Sequence, residues 1–237
     1  MSHDHFATTR WTMVFEAGRP PSVDSDNALA GLCEACWFPI YAYVRRRGNS
    51  KEDAEDLTQM FFSRLLDREM FAGLDRGHGR FRAFLLASLK HFLSNEWDKR
   101  RAIKRGGSIT HLSLDWQSAD QRFGLADNGT MTPDAEFDRE WALTLLGRVI
   151  EETGREFAGQ GKAAEFAALK GCLTETKDGI RYSEIAAALG IDEGAARVRA
   201  HRLRKRYRDL LKREIAATLE DPAMVEEELA VLLGAFS

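Results

Sequence analysis

Cysteine is scarce in this sequence, with three residues among 237. Cys33 and Cys36 have the spacing of half a zinc site or of a redox pair. The chain has no second Cys-x-x-Cys and no His-x-x-x-His pair to complete a metal site. Both cysteines lie in an apolar helical pattern with Leu29 and Leu32, which predicts buried free thiols in a reducing compartment. We therefore expect no metal and no other cofactor.

Long hydrophobic runs and an excess of one charge are also missing. No apolar stretch approaches the ~20 residues of a membrane span, and the first residues lack the pattern of a signal peptide. These absences predict a cytoplasmic protein without a membrane partner. The formal net charge is only −3 although 30% of the residues are charged. A surface for a polyanion must therefore arise from local segregation of charge.

No segment alternates polar and apolar residues as a strand does, and no repeat is visible. We expect an all-α protein with two small helical domains joined by a linker, the C-terminal one a helix-turn-helix. We expect a leader (1–27) that packs on the first domain (28–107) and a linker without helical periodicity (108–136). The second domain (137–213) and an acidic tail (214–237) follow.

Helix signals in the first domain predict three long helices. The first spans Ala28 to Gly48, where the glycine ends it. The second begins after Ser50, which forms a capping box with Asp53, and runs to about residue 67. The third covers Phe81 to Arg101 and changes from apolar to basic along its length. In the second domain, residues 157–174 are predicted as one further helix.

The stretch from Tyr182 to Arg213 has the pattern of a helix-turn-helix. Ser183 is a candidate cap for a short helix, Gly190 marks a turn, and Asp192 is a candidate cap for a second helix. Basic residues then follow with no acid among them: Arg197, Arg199, His201, Arg202, Arg204, Lys205, Arg206 and Arg208. A solvated basic face is the simpler interpretation. The motif and the charge together favour DNA binding.

Three stretches in order resemble bacterial RNA polymerase sigma factors, and in particular the extracytoplasmic-function group of the sigma-70 family. The acidic helix of that family is similar to SKEDAEDLTQMFFSRLL (50–66), and its promoter-melting helix is similar to GRFRAFLLASLKHFLSNEWDKRR (79–101). The C-terminal helix-turn-helix pattern is the third stretch. The family usually has an acid where this chain has Met60.

The resemblance implies a promoter-specificity subunit without enzymatic activity, which binds core polymerase and promoter DNA and directs recognition, melting and initiation. The implied partners on polymerase are the β′ coiled coil and the β flap. The residues matching the docking helix are Asp53, Glu55, Asp56, Leu57, Gln59 and Phe62. Those matching minus-ten positions are Arg76, His78, Arg80, Lys90, His91, Asn95, Trp97, Lys99 and Arg100. Those matching minus-thirty-five positions are Arg197, Arg199, His201, Arg202, Arg204 and Lys205.

Several alternatives stay open at the level of sequence. A stand-alone helix-turn-helix regulator would account for the second domain alone, and a nucleic-acid enzyme lacks any ligand spacing to support it. Trp97 is equally suited to stacking on an exposed base and to core packing. Regulation is expected from an anti-sigma factor, from a Ser/Thr kinase acting on Thr58 or Ser63, or from the acidic tail. The tail is expected either to fold back on the basic helix or to pack on the second domain.

Overall fold

The computed structural model describes residues 36–66, 79–102, 115–126, 131–175 and 179–236. Within these ranges the chain is all-α, as predicted, and its one pairing of extended backbone is a bridge between Arg80 and Leu219. The helices are α1 (36–46), α2 (Lys51–Leu66), α3 (Phe81–Ala102), α4 (Trp116–Ala126), α5 (Pro133–Gly159), α6 (Ala163–Leu169), α7 (Tyr182–Leu189), α8 (Glu193–Ala216) and α9 (Val225–Gly234). Short 3-10 turns cover Lys170–Leu173 and Pro222–Met224.

Local sequence signals set several of the helix ends. Gly48 follows α1 with a φ of 87°, a left-handed conformation that suits a residue without a Cβ. Ser50 precedes α2, and its hydroxyl accepts a hydrogen bond from the Asp53 amide at 3.1 Å and donates one to the Asp53 carboxylate at 3.0 Å. Pro133 begins α5, where its missing N–H has no consequence. The predicted cap of α2 and the predicted extent of α3 are confirmed.

Contacts divide the chain into two compact units. The first comprises Met1–Thr144 together with Ile215–Ser237, and the second comprises Leu145–Glu214. Both boundaries fall inside helices, α5 and α8, and not at the predicted linker. The first unit has an aromatic core, in which Phe61 lies 5.5 Å from Phe92 and Phe81 lies 6.0 Å from Trp141 between ring centroids. The predicted leader, 1–27, lies outside the described residues.

The predicted linker contains helix α4, which is packed into the first unit. Trp116 contacts Trp37 of α1 edge-to-face at 5.5 Å, and Phe123 is buried beneath the guanidinium of Arg45. Arg122 lies over a phenylalanine ring of α1 and pairs with a buried carboxylate of α5. The prediction of a linker without helical structure is therefore wrong for 116–126. The segment is polar in overall composition, but one side of its helix is apolar and packs against aromatic residues.

The acidic tail belongs to the first unit. Ile215, Leu219 and Leu232 are buried there, and the amide of Phe81 donates to the carbonyl of Thr218 at 2.9 Å. The expectation that the tail packs on the second domain is therefore wrong, whereas the expectation that it folds back on the basic helix stays a prediction. The sequence showed an amphipathic acidic helix but not the surface that receives its apolar side.

The second unit is built around a small core of Leu169, Cys172, Ala200 and Leu203. The predicted single helix over 157–174 is interrupted by a turn in which Gly161 has a φ of 72°. Beyond the turn, α6 approaches α5 so closely that a Cβ on Gly154 would lie 2.8 Å from the ring of Phe166. This core fixes the inner sides of α6, α7 and α8.

Candidate nucleic-acid interface

Helices α7 and α8 are joined by a tight turn that the sequence specifies. Gly190 ends α7 in the left-handed conformation with a φ of 63°, and the amide of Ile191 donates back to the carbonyl of Ala186 at 3.0 Å. Asp192 caps α8 by accepting a hydrogen bond from the amide of Ala195 at 2.8 Å. The predicted roles of Gly190 and Asp192 are confirmed. The predicted cap at Ser183 is wrong, because α7 begins at Tyr182 and its N-cap is Arg181, which makes no side-chain capping bond.

The inner side of α8 is apolar and small. Ala196, Ala200 and Leu203 are fully buried at three- and four-residue spacing. Burial of a free thiol on the facing element raises the pKa of Cys172 and keeps it protonated. Cys36 is a buried thiol, as the sequence predicts, and Cys172 is a buried thiol as well. Cys33 lies outside the described residues.

Three of the six predicted minus-thirty-five residues are held by neighbours in the second unit. Arg204 donates from Nε to the carbonyl of Cys172 at 3.0 Å and from both terminal nitrogens to the hydroxyl of Tyr182 at 3.3 Å. Arg199 pairs with Glu165 at 3.1 Å. Arg197 pairs with Glu193 at 3.3 Å and lies over the Tyr182 ring. Of these, Arg204 is a structural residue, whereas Arg197 remains 59% exposed.

Arg206, which also belongs to the basic run, faces α5. Its Nε donates to Glu156 at 2.7 Å, and this hydrogen bond lowers the pKa of the Glu156 carboxyl. Arg213 pairs with Glu152, one helical turn before Glu156 in α5. These two ion pairs join α5 to α8 inside the second unit. Arg206 and Arg213 therefore stabilise the second unit, although a search for basic residues would predict that they bind DNA.

The remaining side of α8, which we term the open face, comprises Val198, His201, Arg202, Lys205 and Arg208. All five are exposed and recur at three- and four-residue spacing. No ion pair joins a cation of this face to an acid anywhere in the described ranges. Asp209 lies at its C-terminal end. The open face therefore presents cations that form no ion pair with a carboxylate of the described residues.

Val198 was not among the predicted DNA-binding residues, and Arg208 was predicted only as part of the basic run and not as a minus-thirty-five residue. Val198 is 51% exposed in the middle of the open face, where an apolar side chain suits the 5-methyl group of thymine. Val198 lies four and seven residues before Arg202 and Lys205, and this helical spacing could have shown that the three share one face. A search for basic residues alone passed over Val198.

The predicted minus-ten residues do not form a comparable surface. Arg80 forms ion pairs with Glu227 and Glu228, and Lys90 forms one with Asp134 at 2.5 Å. That hydrogen bond raises the pKa of Lys90. His91 is exposed and lies 3.2 Å from the amide of Asn95. Trp97 is half-buried beneath the guanidinium of Arg47, 4.5 Å from the ring centroid.

The other minus-ten residues are not placed by the structure. Arg76 and His78 lie outside the described residues. Lys99 and Arg100 belong to α3, but their side chains are not described. Neither base stacking nor core packing fully describes Trp97, because Arg47, which directly follows α1, lies over one face of its ring.

The predicted polymerase-docking residues divide by exposure. Leu57 and Phe62 are fully buried and Gln59 is 8% exposed, so these three belong to the core and their prediction as surface residues is wrong. Asp56 is exposed, and Asp53 and Glu55 are partly exposed. Thr58 is fully buried, which removes it as a phosphorylation site in the folded protein. Ser63 is partly exposed and stays a prediction.

Comparisons with known proteins identify no relative. No family model matches the chain, and no curated protein or solved structure matches it significantly. The described residues contain no group of three or more His, Cys, Asp or Glu side chains placed to hold a metal ion. Among those same residues, none of the helices is both long enough and apolar enough to cross a membrane.

Proposed function

We propose that this protein is a sigma factor of the extracytoplasmic-function type, which binds promoter DNA through α8 and core RNA polymerase through α2. The observation that carries the proposal is the open face of α8. A helix face whose cations have no acidic partners, directly after a short helix and a glycine turn, is suited to the major groove. The sequence resemblance of α2 and α3 adds the polymerase and the promoter to this DNA-binding element.

Residues along the open face suit different parts of a duplex. Arg202 lies at the centre of the face, where a guanidinium can donate two hydrogen bonds to the O6 and N7 atoms of guanine. Val198 is placed to contact a thymine methyl group. Lys205 and Arg208 lie further along α8 and suit phosphates, which fix register without specifying sequence.

The proposed docking of polymerase rests on the exposed acids of α2. Asp56 is exposed and Glu52 lies on the preceding turn, also exposed. Charge reversal by Asp56→Lys should abolish co-purification with core polymerase. Glu151→Lys is the matched control, because Glu151 is an exposed acid on a helix of the other unit. Normal co-purification of the Asp56 variant would exclude this docking surface.

Run-off transcription on genomic DNA with purified core polymerase tests the function as a whole. A sigma factor produces transcripts that start at defined sites only when the protein is added. A stand-alone regulator binds duplex DNA but leaves core polymerase without specific starts. Absence of both specific starts and duplex binding would reject the proposal together with its alternative.

A further inference from the structure

The tail closes over the beginning of α3, at the residues matching the minus-ten region. The amide of Glu220 donates to the carbonyl of Gly79 at 3.1 Å, and the amide of Gly79 donates to the Glu220 carboxylate at 3.2 Å. The amide of Phe81 donates to Thr218. Helix α3 has no acid of its own in the first turn. The tail therefore supplies carboxylates at the positive end of the helix dipole.

Two arginines at this end of α3 receive those carboxylates in different ways. Arg82 is 9% exposed and pairs with Glu228, which is 2% exposed, at 3.1 Å, and also with Asp138. A pair so deeply buried is part of the fold, since removing one member would leave a charge without water or partner. Glu228 also reaches Nε of Arg80 at 3.1 Å.

The outer pair, between Arg80 and Glu227, is open to water. The side chain of Arg80 is 28% exposed and that of Glu227 is 56% exposed. An exposed pair is weak and is screened by salt. Glu227 can therefore leave without disturbing the Arg82–Glu228 pair or the backbone bonds that hold the tail.

We propose that Glu227 is an autoinhibitory side chain, which occupies Arg80 in the free protein and is displaced when a single-stranded nucleic-acid phosphate binds there. The inference rests on the proposed function and on the resemblance to sigma factors, by which Arg80 matches a position that contacts the minus-ten strand. The carboxylate and the phosphate compete for the same guanidinium, so Glu227 lowers affinity for single-stranded DNA. The tail stays attached, and only the outer ion pair is exchanged.

Binding of a fluorescein-labelled 20-nucleotide single-stranded DNA to the full chain tests this exchange. Glu227→Gln is expected to bind about two- to fivefold more tightly than the parent at low salt, the range set by a weak exposed ion pair, and the gain should shrink as salt rises. Glu226→Gln is the control. It removes the same charge one residue away, and in the described structure Glu226 pairs with neither arginine.

A double-mutant cycle makes the assignment specific to Arg80. In an Arg80→Gln background, Glu227→Gln should produce no gain. The proposal is overturned if Glu227→Gln binds no better than Glu226→Gln, if the gain persists without Arg80, or if no variant binds the single strand. Duplex binding by the same proteins is measured in parallel. If the parent protein does not bind duplex DNA, the proposed function is refuted. If it binds the duplex and Glu227→Gln does not change single-strand affinity, only the autoinhibition is refuted.

Discussion

Arginines serve opposite purposes in the two units. In the first, Arg46, Arg82 and Arg122 each pair with a carboxylate that is at most 2% exposed: Glu136, Glu228 and Glu140 respectively. In the second, the arginines of α8 that face α5 and α6 are paired, while Arg202 and Arg208 project from the open face. The comparison shows that the acids around a cation, and not the number of cations, decide where a polyanion can bind.

The buried acids of the first unit depend on their arginines. Burial raises the pKa of Glu140, and the charges of Arg122 and Arg139 oppose that effect. A carboxylate in such a place is stable only while its cations remain. Arg46, Arg82 and Arg122 are therefore bound to the fold, and a change in any of the three should affect stability before it affects binding.

The largest contrast is expected between the same substitution in the two units. Arg82→Ala removes one member of a buried ionic group and should lower the free energy of unfolding by about 3–5 kcal/mol. Arg202→Ala, on the open face, should change it by no more than about 0.5 kcal/mol. Chemical denaturation of both variants measures the difference. Equal losses would mean that the open face is part of the fold.

The next effect concerns two arginines of the same helix. Arg202→Ala should weaken binding to the preferred duplex by about 1–3 kcal/mol and relax discrimination at one base pair. Arg206→Ala should leave duplex affinity nearly unchanged, because Arg206 pairs with Glu156. Competition titrations on single-base variants of the site measure both. A general loss from Arg202→Ala with no change in base preference would assign it to phosphate.

A smaller effect is expected from the apolar residue of the open face. Val198 contacts a thymine methyl in the proposed complex, so replacing that thymine by deoxyuridine should cost about 0.8 kcal/mol, the value of one buried methylene-sized group. Val198→Ala should remove this sensitivity while leaving the Arg202 preference intact. Scanning each thymine of the site in turn locates the contact. Identical affinities for all the substituted duplexes would exclude Val198 from recognition.

The last expected effect is a pH dependence of stability that arises from Tyr207 of α8. Burial raises the pKa of Tyr207 to about 12. In the unfolded chain this tyrosine ionises near pH 10. The stability that comes from its un-ionised form is therefore complete below pH 10 and is lost as the pH rises to about 12. Tyr207→Phe should reduce the fall in unfolding free energy over this interval. Duplex binding, which uses the other side of the helix, should not differ between the two proteins.

Local signals in the sequence predicted local structure well. The left-handed turn at Gly190, the cap at Asp192 and the extent of α3 all follow from residues within one turn of each feature. What the sequence did not reveal was pairing at a distance. Nothing near Arg204 in sequence indicates the carbonyl of Cys172, and nothing near Arg80 indicates Glu227, 147 residues away. The candidate site was therefore predicted as a basic run, and its division into held and open cations required the fold.

The salt dependence of duplex binding tests the account most directly. If the open face neutralises phosphates, the logarithm of the binding constant should fall linearly with the logarithm of salt concentration. Lys205→Ala should reduce the magnitude of that slope by about 0.9, the contribution of one phosphate contact. Arg206→Ala should leave the slope unchanged. A parent affinity that is indifferent to salt, or equal changes of slope in the two variants, would contradict the assignment of DNA binding to the open face of α8.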